Sequence, residues 1–231
     1  AQAMAAAVAL ASGLKYSGIF TLQIQGKGPV YTLVTDVTSE GHLRGCAKFD
    51  SDRLSAEMSR PRAEGSLPQL LGPGTRLSFT VDQGPDTERY QGIVELAGES
   101  LAEGIHHYFR QSEQLESAIK VAVAPFGDGT KRWSAAALLV QRMPEEGAPG
   151  HFSREEADDL WRTAVIFLGS LKDPELLDLS LTPERLLTRL YATMGVRFAP
   201  HRQIAAQCRC SRERSERILA SFPIEEVKSF A

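Results

Sequence analysis

Cysteine is scarce in this chain, three in 231 residues. A count that is both low and odd fits a reducing compartment rather than a disulfide framework, so the chain reads as cytoplasmic. No sign of charge dominates. Lys and Arg number 26 against 29 Asp and Glu, a net −3, and that balance points neither to nucleic acid nor to an anionic membrane. Long hydrophobic runs are missing as well. The longest, Met4 to Ala11, is too short to span a bilayer, and no basic stretch precedes it to make a secretory signal. There is no P-loop, dinucleotide fingerprint or nucleophile elbow; Gly26-Lys27-Gly28 and Gly127-Asp128-Gly129 are turns. Asp82, Asp86, Glu88, Glu95 and Glu99 read as a solvated acidic face. Together these absences leave no convincing enzyme active site.

What is present is an ordinary globular composition, 42% apolar and 24% charged, in three regions of different character. Residues 1–150 mix strands and helices. An Ala-rich helix over Ala1 to Leu14 comes first. The alternating runs Ile19 to Ile24, Val30 to Val37 and His42 to Phe49 then predict an antiparallel meander. Leu77, Phe79 and Val81 alternate in a further strand that turns at Gly84-Pro85 and returns through Tyr90 to Leu96. Ser100-Leu101-Ala102-Glu103 is a capping box, behind which Leu101, Ile105, Tyr108 and Phe109 fall at helical spacing. Ile119, Val121 and Val123 mark another strand, and Trp133 to Met143 runs back beside it. Strands and helices without regular βαβ alternation predict an α+β fold built on an antiparallel-sheet core.

Residues 151–200 are helical throughout in pattern. Ser153 to Glu156 forms a second capping box, followed by an apolar face of Ala157, Leu160, Trp161, Ala164, Val165 and Leu168. Asp173-Pro174 and Thr182-Pro183 each place a capping residue before proline. The helix from Pro183 carries Leu186, Leu187, Leu190, Tyr191 and Met194 to a stop at Gly195. Such short helices read as a packed layer, or as a layer able to undock and show those faces.

Residues 201–231 hold the chain's concentrated chemistry, Cys208-Arg209-Cys210, followed by a helix that Ser211 caps and a shorter one after Pro223 with Val227 and Phe230 apolar. Thiolates on alternate residues can share one soft metal ion or oxidise to a short disulfide, and neighbouring arginines and a helix start both favour the thiolate. So small a segment cannot hold a core of its own, which suits a metal or a partner. The other candidate ligands are weaker. His201 reads as a surface residue, Cys46 as a small buried hydrophobe in its strand, and His106 and His107 as structural.

The stretch Asp82 to Leu96, with Gly98 to Glu103, Tyr108 to Leu115, Leu22 to Gly26, and Arg44-Gly45, resembles the central block of the bacterial heat shock protein 33 (33 kDa chaperonin) family. Cys208 to Arg214 is similar to the first half of that family's zinc motif. The resemblance implies a redox-regulated, ATP-independent holdase chaperone: an α+β core (1–150), a helical linker (151–200) and a C-terminal zinc and redox domain (201–231). It implies that Cys208 and Cys210 serve both as zinc ligands and as a redox disulfide. In the reduced state zinc would keep the linker folded. Oxidation would release it, exposing Leu160, Trp161, Val165 and Leu168 to unfolding client proteins, with a homodimer as the oxidised form. The family's second cysteine pair would lie beyond Ala231, and a further segment of the family would precede the Ala-rich helix. Tight zinc binding takes that second pair, since zinc wants four ligands.

Two rival classes follow from the residues themselves. One is a thiol-disulfide oxidoreductase using Cys208 and Cys210, which lacks the Cys-x-x-Cys spacing. The other is an interaction module with a zinc-stapled tail, in which redox state changes nothing.

Overall fold

The structure, a computed structural model, describes residues 1–59, 67–84, 87–96, 98–113, 116–127, 132–143, 153–208 and 210–228. Pro85, Asp86, Gln114, Leu115, Asp128, Gly129, Arg209 and Phe230, used in the sequence reading, lie outside them. The fold is α+β, as expected. Helix α1 (Gln2–Ser12) precedes the meander β1 (Ile19–Gln25), β2 (Val30–Thr38) and β3 (His42–Phe49). Helices α2 (Ser51–Met58) and α3 (Leu67–Leu71) connect to the hairpin β4 (Arg76–Asp82) and β5 (Tyr90–Glu95).

Helix α4 (Leu101–Tyr108) runs into a π turn at Phe109–Glu113, and β6 (Ser117–Pro125) pairs with β7 (Trp133–Gln141) as a separate two-stranded sheet. The main sheet has the order β5-β4-β1-β2-β3-β8, antiparallel except at its last pair.

Period-2 burial makes the core. Phe20, Leu22 and Ile24 of β1 and Leu77 and Phe79 of β4 point to one face and are all buried. On that face they meet Leu101, Ile105 and Tyr108 of α4. Tyr108 stands edge-on to Phe79, ring centres 4.3 Å apart, and Phe20 stacks on Phe79 at 5.8 Å. Helix α1 is the other lid. Its alanines leave no bulk between backbones, so Ala6 and Ala7 bury completely against the sheets.

Capping chemistry follows the sequence with two corrections. Ser100 accepts the Glu103 N–H as expected, but the Glu103 carboxylate reaches past the cap to the Glu99 N–H at 2.9 Å. Helix α6 (Asp173–Leu176) starts one residue before its proline. Asp173 therefore sits in the first turn, and Glu175 reaches back to the Lys172 N–H. The full capping box at Ser153 opens α5 (Arg154–Ser170), and Thr182 caps α7 (Pro183–Tyr191), which ends through one 3₁₀ turn at Gly195 with φ 76°.

Helix α5 packs on β6, β7 and α7 through few buried anchors: Ala164 and Leu168, with Leu171 just beyond its end and Leu186 on α7. Trp161 and Val165 are half-buried, whereas Leu160 is 37% exposed and departs from the face expected to be apolar. After β8 (Ala205–Ala206), α8 (Arg212–Ala220) and α9 (Ile224–Lys228) leave Ile218, Leu219, Phe222 and Ile224 exposed. Among the described residues, 205–228 thus build no core of their own.

Candidate redox site

The segment with the cysteine pair is anchored to the core sheet. Strand β8 lies parallel to the start of β3, with His42 opposite Ala205 and Leu43 opposite Ala206. Ala205 N–H donates to the Gly41 carbonyl at 2.9 Å, and Gln207 N–H to the Leu43 carbonyl at 3.1 Å. The crossing demands glycine at position 41. Its φ is +89°, and a Cβ there would stand 2.3 Å from the Gln203 carbonyl oxygen.

Leaving that ladder, the chain delivers Cys208 and Cys210 to Arg44. The guanidinium is fixed from behind by Asp36, whose Oδ2 accepts Nε at 2.6 Å and Nη2 at 2.5 Å. Asp36 is buried, and its Oδ1 accepts the Thr21 hydroxyl at 2.8 Å. Arg44 Nη1 then stands 4.0 Å from Cys210 Sγ, while the Cys210 N–H donates to Cys208 Sγ at 3.4 Å.

These contacts make the two thiols unequal. The Cys208 thiol is held below its ordinary value, first by the Cys210 S–H it accepts, then by the Cys210 amide and by Arg44. Cys210 is pushed up, because it gives its hydrogen bond to Cys208 and faces the charge there. A negative charge on the pair therefore has Cys208 as its preferred seat. The Ser211 carbonyl accepts the Ser215 N–H, so α8 starts just after the pair and presents its positive end there.

Both cysteines are exposed free thiols. Two soft donors on alternate residues fit two corners of a tetrahedral zinc centre. Among the described residues no group of three or more potential ligands stands together, so a closed centre takes two further ligands from elsewhere. His201 binds Glu184, 2.5 Å away, and is not part of the pair's surroundings. His106 Nδ1 meets the Ser117 carbonyl at 2.7 Å, in line with a structural role.

Cys46 is a correction: it is exposed, not buried, because β8 covers only the start of β3 and the later residues of that strand lie open. Arg44 and Asp36 were missed as site residues. The available signal was a lone Asp in the middle of an apolar strand, since a buried carboxylate needs a partner.

The segment also walls an apolar groove of about 910 Å³, in which Ile204 faces Met4, Val8, Leu43, Trp133 and Pro183. The proposed client-binding residues Leu160, Trp161, Val165 and Leu168 sit apart on α5, whose contacts are chiefly with β6, β7 and α7.

The fold and site define an α+β protein that carries an exposed thiol pair on a segment laid along its sheet edge. The Hsp33 protein family profile matches residues 1–231. The chain is 36% identical over 228 residues to the 33 kDa chaperonin of Caulobacter vibrioides, covering 98% of this chain and 73% of that protein. It is 33% identical over 232 residues to the 33 kDa chaperonin of Pseudomonas fluorescens, covering 98% and 68%. The crystal structure of the Thermotoga maritima 33 kDa chaperonin shares the fold, with a TM-score of 0.74 at 22% identity over 99% of this chain and 73% of that one. The chain belongs to the Hsp33 family, whose curated relatives are named as chaperonins rather than enzymes. No helix among the described residues is long and apolar enough to cross a membrane.

Proposed function

We propose that this chain is a redox-regulated holdase that captures unfolding proteins without ATP, idle while Cys208 and Cys210 are reduced and active once they are oxidised. The observation that carries this reading is the position of the pair. Its sulfurs meet the core at Arg44, and Ile204 of the same segment forms one wall of the apolar groove over α1 and β7. Chemistry at sulfur would therefore act on a segment that lines apolar surface.

The step balances with a peroxide as oxidant. The Cys208 thiolate attacks the O–O bond, giving a sulfenic acid and, after protonation, one water. Cys210 sulfur then displaces the second oxygen as water, forming the S–S bond. Two thiols lose two electrons and the peroxide gains them.

Zinc would be held by Cys208, Cys210 and two further ligands, and when bound it lends folding free energy to a small segment. Loss of the segment's anchorage would loosen the helices of residues 153–195. Trp161, Val165 and Leu168 would then join the groove as client surface, with Leu160 already at the outside. A homodimer is the expected oxidised form, and the compartment is the cytoplasm.

Light scattering tests the reading. A chemically unfolded client is diluted into protein that has been reduced with zinc or oxidised with peroxide. Suppressed aggregation after oxidation alone is the expected result, and Trp161→Ser with Val165→Ser should weaken it. Suppression in both states would remove the switch and keep the chaperone; none in either would remove the chaperone reading.

A further inference from the structure

Arg44 is where the core touches the sulfur pair, and the sheet is built to aim it. Thr21 on β1, Asp36 on β2 and Arg44 on β3 lie directly opposite one another in the strand register, one polar row across three strands. Asp36 is 4% exposed, and its two oxygens are held by the Thr21 hydroxyl on one side and the Arg44 fork on the other. A buried carboxylate so engaged fixes the guanidinium plane and leaves Nη1 pointing to Cys210 Sγ at 4.0 Å. The backbone anchorage of the segment is slight. The β8–β3 ladder is two residue pairs long, and so short a pairing is marginal without side-chain support.

We propose that Arg44 is a positioning residue that docks the cysteine segment on the edge of β3 while its sulfurs are reduced, and lets it go when they are joined as a disulfide. Reduced sulfur, free or held by a metal, accepts a charge-assisted N–H bond from the guanidinium. Disulfide sulfur carries no charge to attract it. The Arg44–Asp36–Thr21 row would then be the core's reader of the sulfur state.

This inference deepens the redox reading given above, but its test uses reduced protein without any client, so the two fail separately. Amide hydrogen exchange at Ala205 and Gln207 reports the docking. Arg44→Gln should speed exchange at both by about tenfold or more, the scale of a lost charge-assisted hydrogen bond, while β1 amides keep their protection. Replacing Cys208 and Cys210 together with alanine should speed the same two amides, and combining the changes should add nothing further.

Unchanged exchange in Arg44→Gln, or fully additive effects, would overturn the proposal. If Arg44→Gln loosens the whole sheet, the alanine pair decides alone, because it leaves the polar row intact: unchanged exchange there also overturns it. Peroxide-oxidised wild-type protein should exchange at the Arg44→Gln level, and retained protection would refute the release.

Discussion

Leu168 is the residue through which the helical layer should come apart from the core. It is 5% exposed at the α5 interface with β6, and its fellow anchors are few: Ala164, Leu171 and Leu186. Polar ties surround it. Arg142 binds Asp158 at 2.7 Å, Lys120 binds Asp173 at 2.9 Å, and the Tyr191 hydroxyl reaches the Ala164 carbonyl at 3.3 Å. Ion pairs in contact with water contribute little, so apolar burial decides whether the layer stays docked.

Truncating a buried leucine to alanine costs about 2–5 kcal/mol. With a urea dependence of about 1–3 kcal/mol per molar, Leu168→Ala should lower the urea midpoint of the layer by about 1 M or more. Trp161 lies on α5 and reports that event by fluorescence, provided Trp133, which is 61% exposed on β7, is first replaced by phenylalanine. Amide protection of β1 reports the core.

The expected result is a Trp161 transition that moves to lower urea and separates from the loss of β1 protection. The control Ile105→Ala, at a site with no exposure, should move both together. If Leu168→Ala leaves one coincident transition, the layer is part of the core's cooperative unit and the undocking argument fails.

Two more outcomes are expected. Gly92→Ala on β5 would put a Cβ 2.1 Å from the Tyr108 hydroxyl and 2.8 Å from its ring carbons, so it should destabilise the fold by about 1–3 kcal/mol; an unchanged thermal midpoint would refute the packing. In Cys210→Ala the main group that holds the Cys208 thiol low is gone, so the pH at which Cys208 becomes half-reactive toward iodoacetamide should rise, as read by mass spectrometry; an unmoved midpoint would contradict the sharing of charge between the two sulfurs.

Local signals in the sequence carried most of the core. Alternation in Ile19 to Ile24 and Leu77 to Val81 gave the strands and their buried face, and the Ser153 and Thr182 caps placed their helices correctly. Helix α2 escaped notice although Asp50 accepts the Asp52 and Arg53 N–H groups, because half-buried Leu54 is too isolated to make a periodic face. Strand β8 was illegible: two alanines carry no strand signal, and their partners lie far back in the chain.

The site was half visible for the same reason. The thiol pair is local, but Arg44 and Asp36 become site residues only when residue 210 returns to the edge of β3. Cys46 was misjudged because a strand pattern tells which residues share a face and not whether anything covers it.

That late return has a cost in time. Strand β3 ends at Phe49 and its edge partner β8 ends at Ala206, so at translation rates of about 5–20 residues per second the edge waits roughly 8–30 s for its cover. Throughout that interval a nascent sheet, otherwise able to pair its strands β1 to β3, shows free backbone groups to every neighbouring chain. The sheet must therefore pass through synthesis with this edge open, and Ala205 and Ala206, when they arrive, cover only its start.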